Sequence, residues 1–238
     1  GEPRDLHSFP TRRSSDLAVS GVFMLFMHPV AAHTPKTHLA LHREYSLYYV
    51  LSLLFGTRKQ IFITFAPWVL VTIFGKPTVL IASLYTIGGI LGVVFQPVLG
   101  RLIDRFGERS MLVIEGIILV VVCTGYGFSK ILFGDAGFLV ASVCYIVDML
   151  LFSFGMARAT YLKKIAKDPR HVSPTLTMGT TIDHVFSIGI ALASGVIWSV
   201  FGYQYVFVIG AVIAAAYAVA ASRIRVPAVK MAESSVTA

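Results

Sequence analysis

Charged side chains stand in the middle of long apolar runs of this sequence. Arg58 and Lys59 lie near the centre of the run 45–74, and Asp148 lies inside the run 137–158. Asp183 and His184 are adjacent in the run 175–200. A carboxylate or imidazole among apolar residues can carry a proton, and a cation there can hold an anionic ligand. We therefore predict that these residues serve substrate binding or proton coupling.

A structural interpretation competes with this functional one. The four charges could form internal ion pairs that only hold helices together. In that case, at least one cation should approach Asp148 or Asp183, because an unpaired buried charge is costly. His184 fits a proton relay and a packing histidine equally well. Gln60 follows the two cations and is a hydrogen-bonding candidate for a substrate.

The elements that must position these residues are apolar runs long enough to cross a bilayer. A helix needs about 20 residues to span the hydrocarbon core. Six runs meet this length: 45–74, 77–99, 110–129, 137–158, 175–200 and 203–222. The shorter run 18–32 predicts the end of a truncated preceding helix. Nothing alternates with the period of two expected for a strand barrel, so we predict an all-α membrane protein with six transmembrane helices.

Composition excludes several other classes of protein. Of the 238 residues, 56% are hydrophobic and only 13% are charged, whereas soluble domains have about 25% charged residues. Cys123 and Cys144 lie in apolar runs and form no metal or disulfide pattern. No P-loop or metalloprotease motif occurs. We therefore expect no enzyme activity, no cofactor and no metal.

The loop cations indicate an orientation. Apart from Lys76 and Lys130, the lysines and arginines between the runs fall on one side of the membrane, which the positive-inside rule makes cytoplasmic. The loops 33–44, 100–109 and 159–174 and the tail 223–238 are then cytoplasmic. The net charge of +8 faces anionic lipid headgroups, so no nucleic-acid partner is expected. Glu115, close to this side, is expected to reach headgroups or Arg109.

The connection between the second and third runs carries a motif. It reads GRLIDRFGER and matches the pattern G-x-L-x-D-R-x-G-x-R at Gly100, Leu102, Asp104, Arg105, Gly107 and Arg109. The glycines suit a tight cytoplasmic turn, and the arginines can pair with carboxylates or phosphates. In this motif the chain resembles the major facilitator superfamily, whose members carry it as a conformational signature loop.

The resemblance implies a function and an architecture. It implies secondary active transport of a small solute by alternating access. Coupling to protons is expected because proton-coupled transport is frequent in this family. The short basic tail and the hydrophobic run before residue 33 fit the C-terminal half, about helices 7–12, so the missing N-terminal half would be a partner. In that scheme the seventh, tenth and eleventh helices carry the buried charges. The alternative is a stand-alone six-helix channel subunit or scaffold without transport activity.

The apolar runs, the family resemblance and a second resemblance near the N-terminus together indicate the domain boundaries. Residues 4–17 resemble, letter for letter, the translation of a sequencing adapter, so residues 1–17 are interpreted as a non-native leader. Residues 18–32 are the stump of a helix, 33–44 a cytoplasmic loop, 45–222 the six-helix half and 223–238 a cytoplasmic tail. The expected location is a bacterial or archaeal plasma membrane.

Overall fold

Helices form nearly all of the part of the chain that the structure describes. The computed structural model describes residues 41–225. Its α-helices are α1 (Ser46–Thr72), α2 (Thr78–Phe133), α3 (Gly137–Leu151), α4 (Gly155–Ile165), α5 (Pro169–Phe201) and α6 (Tyr203–Ser222). Single 3-10 turns lie at Arg43–Tyr45, Gly134–Ala136 and Phe152–Phe154. The leader 1–17, the stump 18–32, most of the loop 33–44 and the tail from residue 226 lie outside the described residues.

The signature segment is helical rather than an open loop. α2 continues through residues 100–109 and joins the second and third apolar runs. Only Gly107 departs from helical geometry, with φ 79° and ψ 159°, so it divides α2 into a first arm, 78–106, and a second arm, 108–133. The expected turn is therefore concentrated in one residue. Other residue types in the segment are compatible with helix, whereas this φ is accessible mainly to glycine.

The fourth apolar run is divided as well. Its residues form α3, then the 3-10 turn Phe152–Phe154, and then α4, which continues to Ile165. The loop predicted at 159–174 is consequently much shorter, because α5 already begins at Pro169. The side chain of Asp168 caps α5 by accepting a hydrogen bond of 2.8 Å from the Arg170 amide. Proline at the first helical position suits this start.

The helices pack around α1 and α2. α2 lies against α3 and α6, and α1 lies against α5 and α6. Glycines allow neighbouring helices to approach closely. A Cβ at Gly116 would clash with Ala218 on α6, and a Cβ at Gly179 would clash with Tyr48 on α1. Large apolar side chains such as Val93 and Leu192 are largely exposed on the outside. Apolar exposure of this kind is what a lipid-facing or partner-facing surface requires.

Three helical stretches of the described residues are long and apolar enough to cross a membrane. They are Thr78–Ile165, Pro169–Phe201 and Tyr203–Ser222, and the first contains α2, α3 and α4 together. α1, which carries Arg58 and Lys59, is not among them. The described residues are therefore helical without strands, and three of their stretches have the length and composition of membrane-spanning helices.

The conformation of Gly107 leads to a prediction. Replacing Gly107 with alanine should destabilise the chain by about 1–3 kcal/mol, because the left-handed backbone strains any residue with a Cβ. No neighbouring atom lies within 4 Å of the added Cβ, so strain is the only cost. Thermal unfolding in detergent measures the effect. Gly100→Ala is the matched control, since Gly100 is helical with equally open space. Equal stability of the two variants would contradict the assigned backbone conformation.

Candidate functional site

Two adjacent cations of α1 point to different neighbouring helices. Successive residues of an α-helix are rotated by about 100° from one another. Arg58 consequently faces α3, and Lys59 faces α5. Each meets one of the predicted aspartates, so the four charges form two separate ion pairs. The expected approach of a cation to Asp148 or Asp183 is present in both pairs.

The pair of Arg58 and Asp148 is sealed from its surroundings. The Nη1 atom of Arg58 donates to Oδ1 of Asp148, and the two side chains are 1% and 3% exposed. The rings of Phe55 and Phe62 lie 5.7 and 5.9 Å from the guanidinium carbon. The Nε and Nη2 atoms of Arg58 have no hydrogen-bond partner among the described residues. Removing Asp148 would therefore leave a cation with no compensation in an apolar environment.

The pair of Lys59 and Asp183 is more open. Lys59 Nζ donates to Asp183 Oδ2 at 2.8 Å, and the side chains are 22% and 14% exposed. The Ser187 hydroxyl donates to Asp183 Oδ1 at 3.0 Å. A Cβ at Gly56 would overlap the Asp183 carboxylate, so this glycine lets the acid lie directly against α1. Partial exposure means that this pair can separate at lower cost than the sealed pair.

A third buried ion pair was not predicted. Arg158 Nη1 donates to the two carboxylate oxygens of Glu115 at 3.0 and 3.2 Å, and the Tyr217 hydroxyl donates to Glu115 at 2.5 Å. The Arg158 guanidinium carbon lies 3.5 Å from the centre of the Phe55 ring. The expectation that Glu115 reaches headgroups or Arg109 is wrong, because its side chain is fully buried. Its place inside an apolar run was the available signal.

A cavity of about 230 Å³ adjoins two of these pairs. One face of each of α1, α4 and α5 lines it, with the following residues: Tyr48, Ser52, Phe55, Gly155, Arg158, Ala159, Leu176, Gly179, Thr180 and Asp183. Arg158 and Asp183 bring opposite charges to its wall from different helices. The cavity can therefore hold a small polar solute.

Other predicted site residues lie apart from this cluster. Gln60 donates to Thr64 on its own helix at 3.0 Å, and His184 is exposed. In the signature segment, Asp104, Arg105 and Arg109 are exposed and form no ion pair within residues 41–225. Its neighbour Glu108 is buried and pairs with Lys164 at 2.6 Å. That link ties the end of α4 to the bend of α2.

The segment before α1 is attached to the region between α4 and α5. Tyr45 and His171 share a hydrogen bond of 3.2 Å, and the ring of His42 stacks on that of His171. Lys167 donates to Glu44 at 2.7 Å. This hydrogen bond holds the pKa of Glu44 below its ordinary value and raises that of Lys167.

The residue types that commonly bind metals do not cluster in the described part of the chain. Over residues 41–225, no three His, Cys, Asp or Glu side chains are grouped so that they could hold a metal ion. Cys123 and Cys144 are free thiols. What the site offers is paired charge and hydroxyl groups beside a cavity.

Comparison with known proteins identifies the family. The family model described as Major Facilitator Superfamily matches residues 3–181, well over half of the chain. The chain therefore belongs to the major facilitator superfamily, a family of membrane transporters. Searches of curated proteins and of solved structures found no match.

The sealed pair provides a stability prediction. Asp148→Ala should destabilise the chain by about 3–5 kcal/mol, because Arg58 is left buried without an anion. The double replacement Arg58→Met with Asp148→Leu should cost less, since no charge remains buried. Unfolding in detergent, followed by fluorescence of Trp68 and Trp198, measures both. Asp135→Ala is the control: its pair with Lys130 is exposed, so little change is expected. A double variant less stable than Asp148→Ala would refute this account.

Proposed function

We propose that this chain is the C-terminal half of a secondary transporter that moves a small solute by alternating access. Its partner would be the N-terminal half, and the two halves would rock around a site at mid-depth of the membrane. Six crossings are proposed: α1, the two arms of α2, α3 with α4, α5 and α6. The sharp break at Gly107 supports a reversal of direction between the two arms.

The observation that carries this proposal is the open ion pair beside the cavity. Protonation of Asp183 would remove the charge that holds Lys59 and so loosen the contact between α1 and α5. The same loosening of the contact between α1 and α5 would change the access of solute to the adjoining cavity. The sealed pair of Arg58 and Asp148 would meanwhile keep α1 and α3 together. We therefore assign proton coupling to Lys59 and Asp183 and a supporting role to Arg58 and Asp148.

Two polar residues outside the cluster are consistent with a second half. His184 on α5 is exposed and Gln60 on α1 is half-buried, on helices that would border the central cavity. Both are proposed to contact solute or the N-terminal half. The signature residues around Gly107 would act on the cytoplasmic side, where their arginines meet lipid phosphates or that half. The membrane is proposed to be a bacterial or archaeal plasma membrane.

Genomic sequence upstream of residue 18 tests the two-half architecture directly. We expect an open reading frame that encodes five complete helices and the beginning of a sixth before Ala18. The adapter-like residues 4–17 should be missing from the genomic reading frame. A start codon immediately upstream, with no preceding hydrophobic segments, would contradict a half-transporter and favour a stand-alone membrane protein.

The coupling role is tested in the joined two-half protein reconstituted in proteoliposomes. Asp183→Asn should abolish accumulation driven by a proton gradient while leaving counterflow exchange, because the amide cannot cycle its charge. Asp135→Asn is the matched control, since Asp135 also pairs with a lysine but lies exposed at the end of α2. Accumulation at the native rate in Asp183→Asn would remove Asp183 from the coupling mechanism.

A further inference from the structure

Arg158 has hydrogen-bond donors that the protein does not use. Its Nη1 atom serves both Glu115 and the Tyr217 hydroxyl. No hydrogen bond from Nε or Nη2 occurs within the described part of the chain, although the side chain is only 9% exposed. Unlike the corresponding atoms of Arg58, these two are not sealed by surrounding atoms. One edge of the guanidinium group is therefore available to a ligand.

That edge is held in a fixed orientation. Glu115 and Tyr217 hold the opposite side of the group, and the Phe55 ring covers one face at 3.5 Å. Arg158 and Phe55 both line the cavity between α1, α4 and α5. An arginine fixed in this way loses little side-chain entropy when it binds a ligand.

The chemistry of the unused edge favours a planar anion. Two parallel N–H groups match the two oxygens of a carboxylate in a bidentate hydrogen bond. Asp183 in the same wall already receives one hydrogen bond on each oxygen and adds a negative charge. That charge disfavours a dianion such as phosphate. The volume of about 230 Å³ suits a solute of few atoms, and Phe55 and Leu176 offer contact to a short apolar group.

We propose that this cavity binds the carboxylate of a small monocarboxylic solute through the free edge of Arg158. The inference rests on the proposed transport function, because it names the class of solute. It also gives Glu115 and Tyr217 a positioning role, since they orient the arginine without touching the solute. Arg158 then contributes to the binding site as well as to a buried ion pair.

Binding to the purified 238-residue chain in detergent, measured by calorimetry, tests the proposal. The probes are L-lactate, propionate, inorganic phosphate and the methyl ester of lactate. Lactate or propionate should bind, and the uncharged ester and phosphate should not. Arg158→Lys keeps a cation for Glu115 but loses the fork of donors, so carboxylate affinity should fall by at least about tenfold.

A second variant leaves all three ion pairs in place. Gly155→Ala adds a methyl group 3.8 Å from Arg158 Nη2, and we expect this group to narrow the approach of a ligand to the free edge. It should weaken carboxylate binding without lowering the melting temperature, because alanine is compatible with this helical position. This variant tests the proposal on its own if Arg158→Lys fails to fold. Arg101→Lys and Gly89→Ala are matched controls, because both positions are exposed outside the cavity and should leave affinity unchanged.

Several results would overturn the proposal. They are absence of carboxylate binding to the native chain, equal binding of the ester, binding of phosphate alone, or native affinity in folded Arg158→Lys or Gly155→Ala. This measurement needs neither a gradient nor a second half. A negative result for proton coupling in proteoliposomes would therefore not contradict carboxylate binding. Absence of carboxylate binding would likewise not contradict the coupling result.

Discussion

A charge buried among apolar side chains must meet an opposite charge, and this requirement organises the described structure. Arg58 and Lys59 cannot share one anion because they leave α1 in different directions. The first therefore ties α1 to α3, and the second ties it to α5. The cluster of Glu115, Arg158 and Tyr217 joins α2, α4 and α6. The three ion pairs, together with the hydrogen bond from Tyr217 to Glu115, reach all six α-helices of residues 41–225.

The ion pairs differ in how firmly they are enclosed, and in the proposed mechanism the sealed pair supports the helices while the open pair separates during movement. A pair at 1% and 3% exposure has no water to replace a lost partner, so its two helices stay together. A pair at 22% and 14% exposure can exchange its partner for water or solute. Glycine at position 56 and serine at 187 keep α1 and α5 close while the acid between them remains accessible.

The sequence predicted the positions of the helices more accurately than the residues at which they begin and end. The run 203–222 coincides with α6, and the run 45–74 lies close to α1. The segment 100–109 was expected to be a loop, because six motif positions suggested a turn, whereas one left-handed glycine is enough to bend the chain. The division of the fourth run by a 3-10 turn has no visible cause in Phe152–Phe154. Local sequence does not record where packing interrupts a helix.

Only part of the candidate site could be predicted from the sequence, because the pairing of its residues depends on tertiary packing. Arg58, Lys59, Asp148 and Asp183 stood out because each charge interrupts an apolar run, but their pairing depends on which helix faces which. Arg158 is the last residue of the fourth run and did not stand out from the neighbouring loop cations. Tyr217 lies in an alanine-rich helix with no polar signal. Their meeting with Glu115 is a property of the tertiary structure.

If α1 crosses the membrane, as proposed, its ion pairs also constrain how the chain enters the membrane. Asp148 lies 90 residues after Arg58, and Asp183 lies 124 residues after Lys59. Neither acid has been synthesised when α1 leaves the ribosome, so α1 meets the insertion machinery with two unmatched cations. Each would cost about 2.5–3.5 kcal/mol at the centre of a bilayer. α1 should therefore remain at the insertion site until α3 and α5 arrive, which makes assembly of this chain a late and cooperative event.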